Sequence, residues 1–136
     1  LGYINYKHNE EEVNLTNFQQ AGTSMHLSDQ GLKLSVKTLN EFKAYISINH
    51  SDVMSLTQGS FNQEQVEINL TSEEGQTYLL QKGKINLKAI NIKKGTVDLL
   101  ASGEFIDMKN NAQNMSIELN MKFEEKTSTV GIEKLK

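Results

Sequence analysis

The chain contains no cysteine, no proline, no tryptophan and no arginine among its 136 residues. The absence of cysteine excludes a disulfide framework, a thiol nucleophile and a thiolate zinc site. All 14 basic residues are lysine, and 17 acidic residues outnumber them, which gives a formal net charge of −3. Nucleic-acid binding needs a basic surface and favours bidentate guanidinium contacts, so this composition argues against a nucleic-acid partner.

Long apolar runs are also missing. No run approaches the roughly 18 residues of a membrane-spanning helix, and we therefore expect no transmembrane segment in this chain. Because the sequence begins with Leu1 and not with Met, any signal peptide or lipid anchor is expected upstream of Leu1. The length predicts a single domain over residues 1–136, with a loose tail from about residue 126.

Polar residues alternate with apolar ones along most of the chain. Between Met115 and Phe123 every second residue is apolar, and the same period of two recurs between Val97 and Phe105. This period is typical of strands with one face on a core and the other in water. The sequence predicts an all-β, antiparallel β-sandwich of about 8–10 short strands in two sheets, of the immunoglobulin-like kind, with a small β-barrel as the alternative.

Turn and irregularity signals divide these strands. Glu73–Gly75 and Lys93–Gly95 end in glycine, as short hairpin loops do, whereas Gln81–Gly83 is either a further turn or a bulge within a longer strand. A change in apolar phase predicts another bulge near Ala89–Ile90. Helix signals are limited to the capping-box spacing of Thr38 and Glu41, which predicts at most one short helix.

The second half of the chain carries an ordered set of strand motifs. These are Gly59-Ser60-Phe61, Tyr78, Gly83-Lys84-Ile85-Asn86-Leu87, Ser102-Gly103-Glu104-Phe105 and Met121-Lys122-Phe123. Over about Gly59–Phe123 this order resembles small exported β-sandwich domains of Bacteroidota-type lipoproteins, most of which have no assigned function. It departs from their pattern at the last strand, where Lys122 precedes Phe123 and no glycine appears, and at Gly95-Thr96-Val97, which lacks the expected aromatic residue. The resemblance implies a secreted or cell-surface protein and carries no functional residues over.

Candidate binding residues lie in the polar stretch from Asp107 to Asn114. Asp107, Asn110 and Asn111 offer oxygen atoms at a hairpin tip, but Asn and Asp also form such turns by bonding their own backbone, which is the favoured interpretation. A second candidate surface is the segment Asn49–Phe61. No residue is predicted to be catalytic, because no nucleophile elbow, phosphate loop or zinc-peptidase motif is present.

Histidines and tyrosines are weaker candidates. The histidines, His8, His26 and His50, are far apart in sequence, so no metal site and no cofactor is predicted. The four tyrosines, Tyr3, Tyr6, Tyr45 and Tyr78, are the only side chains suited to stack on a sugar, and packing in the core or at its rim is the favoured interpretation.

These features together favour a non-enzymatic binding or structural domain, exported to the cell envelope or the extracellular space. Its expected partner is a protein or glycan at the cell surface. The alternative is a carrier of a small apolar ligand inside a β-barrel or cup, lined by the methionines Met25, Met54, Met115 and Met121. A third hypothesis, an enzyme whose site assembles from distant loops, needs a cleft with two convergent titratable groups.

Overall fold

The computed structural model describes residues 2–8, 11–15, 24–28, 30–38, 41–51, 58–91, 96–108, 114–124 and 130–132. These residues contain β-strands joined by turns, and no helix occurs among them. The strands are β1 (Gly2–His8), β2 (Glu11–Leu15), β3 (Ser24–Ser28), β4 (Gly31–Lys37), β5 (Lys43–Asn49), β6 (Gly59–Asn62), β7 (Val66–Thr71), β8 (Thr77–Asn91), β9 (Thr96–Asp107), β10 (Asn114–Glu124) and β11 (Val130–Ile132).

All described strands belong to one 11-stranded sheet, in the order β11-β3-β4-β5-β7-β8-β9-β10-β1-β2, with β6 paired to β8. The pairing is antiparallel except between β11 and β3, which run parallel. The predicted all-β, antiparallel class is therefore confirmed. The two-sheet sandwich is not confirmed, because one sheet curls into a half-barrel, and this shape fits the alternative of a small barrel.

The hydrophobic core lies on one face of this curled sheet. The alternating residues of β9 and β10 that were expected inside, such as Leu99, Phe105 and Leu119, are fully buried. The same face of the neighbouring strands adds Ile46, Leu70 and further aliphatic side chains of β4, β5, β7 and β8. A strand period of two directs these side chains to the same side, so burying this face is what stabilises the curl.

The long strands β8 and β9 pair with two interruptions of register. One shift lies between Leu80 and Lys82, which shows that Gln81–Gly83 is a bulge within a longer strand and not a turn. The other lies between Leu87 and Ala89, next to the bulge predicted at Ala89–Ile90. Bulges bend a strand and increase its twist, and two of them in one strand pair help the sheet to curl.

The connection between β4 and β5 is a hairpin, where the sequence allowed a helical turn. Thr38 and Phe42 face each other across this loop: the Thr38 N–H donates to the Phe42 carbonyl (2.9 Å), and the Phe42 N–H donates to Thr38 Oγ1 (3.3 Å). Glu41 completes the loop with a positive φ of 69°. The Thr38 hydroxyl therefore stabilises a strand connection and not a helix start.

The remaining sequence predictions concern the turns and the end of the chain. Gly75 has a φ of 85° in the turn between β7 and β8, as expected for Glu73–Gly75, whereas Lys93–Gly95 lies outside the described residues. Within the segment predicted to be loose, Val130–Ile132 forms β11 beside β3. No helix in the described part of the chain has the length and hydrophobicity needed to cross a bilayer.

Candidate functional site

The strongest candidate site is a groove of about 360 Å³ on the face of β4, β5 and β7 that points away from the core. Strand register builds it from two rows of side chains. In the first row Tyr45 lies opposite Ser35 on one side and Asn69 on the other. In the second row Lys43 lies between Lys37 and Thr71, and the buried neighbours Val36 and Ala44 also contribute to the lining.

The chemistry of this groove is that of a small polar-ligand site. Its volume falls in the range of roughly 300–1,000 Å³ that ligand pockets occupy. Tyr45 supplies one half-buried aromatic ring, while Ser35, Asn69 and Thr71 supply hydroxyl and amide groups that both donate and accept hydrogen bonds. An aromatic ring surrounded by such groups suits a ligand with an apolar C–H face and many hydroxyls.

Two ammonium groups border one end of the groove. Lys37 Nζ lies 3.5 Å from the Glu41 carboxylate, with the Lys37 side chain 30% exposed and the Glu41 side chain 63% exposed. Lys43 is exposed and forms no ion pair with any described residue. At this degree of exposure the ion pair contributes about 0–1 kcal/mol to stability, so Glu41 holds Lys37 only weakly.

The loop residues proposed from the sequence are not part of this groove. Asp107 is the last residue of β9, opposite Tyr78, and only 4% exposed. It lies on the core-facing side of its strand and not at a loop tip. Asn110 and Asn111 lie outside the described residues. Met108, which follows Asp107, is 51% exposed, and its N–H donates to the carbonyl of Thr77 (2.9 Å).

The second proposed surface, Asn49–Phe61, is described in part. A wider depression of about 410 Å³ includes its residues Gln58 and Gly59 together with Asn86, Leu87 and Lys88 of β8. None of the described residues that line this depression is aromatic. At the other end of the segment His50 packs edge-on against the buried ring of Phe61, with 5.6 Å between ring centroids, which gives this histidine a packing role.

The interior holds closely packed side chains where the carrier hypothesis needs a ligand. Met25 and Met121 are completely buried, together with Leu34, Leu87 and Phe105. A side chain with no surface open to water has no water-sized void beside it. Met54 lies outside the described residues, and so does the side chain of Met115. In the described part of the core, these side chains therefore pack against one another and leave no space for a ligand beside them.

No group of three or more His, Asp or Glu side chains close enough to share a metal ion occurs in the described ranges. His26 is exposed on β3, and His50 follows the end of β5. Of the tyrosines, Tyr78 is buried and donates to Gln76 Oε1 (2.6 Å), while Tyr3 is 37% exposed on β1. Tyr45 differs from both because it lines a groove.

Sequence reasoning missed Lys37, Lys43, Asn69 and Thr71 as site residues. Each lies on the polar side of an alternating strand, where a solvated face is the default interpretation. A signal was available at the β4–β5 connection: interpreting residues 38–42 as a hairpin loop would have placed Lys37 opposite Lys43. The contribution of β7 follows only from the pairing of strands separated by 16 residues of chain.

Comparisons with protein-family models, with curated proteins and with solved structures gave no significant match to this chain.

Proposed function

We propose that this protein is a non-enzymatic binding domain that holds a saccharide in the groove of β4, β5 and β7. The observation that carries the proposal is the row Ser35–Tyr45–Asn69, which sets an aromatic ring between a hydroxyl and an amide. The C–H face of a pyranose packs on an aromatic ring, and its hydroxyls exchange hydrogen bonds with the flanking groups. Amides and hydroxyls meet both requirements of a sugar hydroxyl, because they donate and accept.

A saccharide is favoured over a protein partner because of the polarity of the described surface. Protein interfaces are built around a desolvated cluster of large apolar side chains. Among the described residues the large hydrophobic side chains that are exposed are Tyr3 and Met108, and neither lines the groove. The eight described residues that line the groove are also fewer than the roughly 20–30 residues that each partner contributes to a standard protein interface.

A carrier of apolar ligands is not our proposal, since the described core is filled by its own side chains.

We also propose that the domain works outside the cytoplasm, at the cell envelope or beyond. This is supported by the motif order between Gly59 and Phe123 and by the amide-rich composition, with 14 Asn and 9 Gln. Fractionation of cells that express the full-length gene tests it, and recovery of the protein in the cytoplasmic fraction alone would contradict export.

Titration of the purified protein with a panel of oligosaccharides in a calorimeter tests the binding proposal. The variant is Tyr45→Thr, which removes the ring and introduces a β-branched residue suited to a central strand. We expect at least one saccharide to bind, and the variant to bind it about fivefold more weakly, because stacking on one ring accounts for roughly 1 kcal/mol. Tyr3→Thr, which removes an exposed tyrosine outside the groove, is the matched control.

Two results would contradict this function. One is a panel in which no saccharide binds to the folded protein. The other is a saccharide whose affinity falls equally in the Tyr45→Thr and Tyr3→Thr proteins, because its site would then lie elsewhere. Thermal unfolding of each variant shows that the proteins compared are folded.

A further inference from the structure

The second row of the groove contains a charge arrangement that strand stability does not favour. Lys37 and Lys43 are direct partners in the β4–β5 register, with their side chains on the same face. Like charges opposite each other on neighbouring strands destabilise a sheet, whereas opposite charges stabilise it. Elsewhere on the same sheet Lys7 lies opposite Glu12 and Glu118, so the fold pairs opposite charges at another position.

The positive charge is local to this end of the groove. Four residues further along each strand, the same face carries Lys33, Ser47 and Glu67, which is one charge of each sign. The whole chain has a net charge of −3, so its overall field repels anions. Attraction for an anion at Lys37 and Lys43 therefore comes from their pairing and not from a generally basic surface.

We infer that the saccharide is acidic, with a carboxylate or sulfate group bound between Lys37 and Lys43. This inference rests on the function proposed above, since it names the ligand class of the same groove. An anion at this position would relieve the repulsion of the two ammonium groups and would make charge-assisted hydrogen bonds with both. The hydroxyl of Thr71, next to Lys43 in the register, supplies a further donor.

Glu41 gives the inference a second, independent consequence. The Glu41 carboxylate lies 3.5 Å from Lys37 Nζ and forms an ion pair with it. The Glu41 side chain is nevertheless 63% exposed, and the residue has a positive φ. An acidic ligand has to compete with this carboxylate for the same ammonium group. Removing the charge of Glu41 should therefore strengthen binding of an acidic saccharide and leave binding of a neutral one unchanged.

The test uses pairs of saccharides that share a sugar backbone and differ in whether they carry the anionic group. Trigalacturonate is compared with its methyl ester, and a sulfated galactan oligosaccharide with its desulfated form. We expect the charged member of at least one pair to bind about tenfold more tightly, since hydrogen bonds to charged groups contribute roughly 1.5–3 kcal/mol each. Which pair shows the difference identifies the anion as carboxylate or sulfate.

Variants locate the effect. Lys43→Gln should reduce the affinity for the charged member to that of the neutral member, and Glu41→Gln should raise the affinity for the charged member a few-fold. Lys84→Gln is the matched control, because Lys84 is an exposed lysine on β8 whose register partners are Asn62 and Ser102. This variant should bind both members as the unmodified protein does.

The outcomes separate this inference from the function on which it rests. Equal affinity for the charged and neutral members, with sensitivity to Tyr45→Thr, would overturn the acidic ligand and leave saccharide binding in place. Equal losses in Lys43→Gln and Lys84→Gln would also overturn it, because the preference would then reflect general charge. Absence of binding by every member, with a neutral saccharide of the wider panel still binding, would also overturn the acidic ligand, whereas absence of binding by every saccharide would overturn the proposed function itself.

Discussion

Gly83 of β8 and Gly103 of β9 lie directly opposite each other on the core-facing side of the sheet. A Cβ built on Gly83 would lie 2.3 Å from the Ser102 carbonyl oxygen, and one on Gly103 would lie 2.3 Å from the Lys82 carbonyl oxygen. The Leu80 side chain occupies the remaining space, 3.1 Å and 2.9 Å from the same two positions. The bulge after Leu80 brings Leu80 and Gly83 to the same face, so the paired glycines leave room for this leucine.

This arrangement predicts that Gly83→Ala and Gly103→Ala each destabilise the protein by about 2 kcal/mol or more, because backbone atoms of the opposite strand have to move. For a chain of this size, that lowers the midpoint of thermal unfolding by roughly 6–10 °C. Gly75→Ala is the control: it has a φ of 85° but nothing within 4 Å of the added Cβ. It should cost only about 1 kcal/mol, through backbone strain. Equal losses at the three sites would contradict the close approach of β8 and β9.

The positive φ of Glu41 leads us to expect that a substitution at this position stabilises the protein. With a φ of 69° it occupies a conformation that glycine adopts more easily, and the ion pair it forms with Lys37 is exposed. Glu41→Gly should raise the free energy of unfolding by about 0.5–1 kcal/mol, because relief of strain exceeds the loss of the ion pair. Glu73→Gly removes another exposed glutamate whose φ is not positive and should not stabilise the protein. Chemical denaturation measures both, and a destabilised Glu41→Gly protein would contradict the role of backbone strain.

The buried amide oxygen of Asn120 leads us to expect a second stabilising substitution. Its Oδ1 atom is buried on β10 and has no hydrogen-bond partner among the described residues. The register places Asn120 between Asn5 and the half-buried Leu100. Asn120→Val removes the unpaired oxygen and introduces a residue with high strand propensity, so we expect a gain of about 1 kcal/mol in thermal or chemical unfolding. Asn86→Val changes an exposed residue of β8 that lies opposite Leu100, and it should change stability by less than about 0.5 kcal/mol. Loss of stability in Asn120→Val would show that the oxygen has a stabilising partner.

We expect the protein to lose stability when the hydroxyl of Thr38 is removed. The side chain is only 1% exposed, and its Oγ1 accepts from the Phe42 N–H at 3.3 Å. Thr38→Val keeps the shape but leaves this donor with one partner fewer, which should cost about 1–2 kcal/mol. Thr38→Ser keeps the hydroxyl and should retain more stability than Thr38→Val. The reverse order in thermal unfolding would show that the methyl group matters more than the hydrogen bond.

The sequence predicted which side chains of a strand share a face, but it did not predict how many sheets the strands form. Leu99, Phe105 and Leu119 were expected inside and are buried. The alternation of apolar and polar residues indicates which side chains are buried, but it does not indicate which strands pair with each other. A sandwich and a curled single sheet bury the same alternating faces, so the pattern fits both.

The candidate site shows the same limit at the level of single residues. Tyr45 was recognised from the sequence as a ring able to stack on a sugar, but it had no advantage over Tyr3 or Tyr78. The register of β4, β5 and β7 gives it Ser35 and Asn69 as neighbours and makes it part of a groove. The loop candidate Asp107 was suggested by its polar surroundings in sequence, yet it ends a strand with its side chain buried.

The sequence alone determined the all-β, antiparallel class, the core-facing residues of the alternating strands, the turn at Glu73–Gly75 and the bulge near Ala89–Ile90, because these follow from the period-two geometry of a strand and from local backbone preferences. Only the tertiary structure decided that the strands curl into one sheet, that Gly83 meets Gly103, and that Lys37 faces Lys43 beside Tyr45. These relations depend on strand register across the sheet. Register is set by which strands pair over long stretches of chain and by the bulges within them.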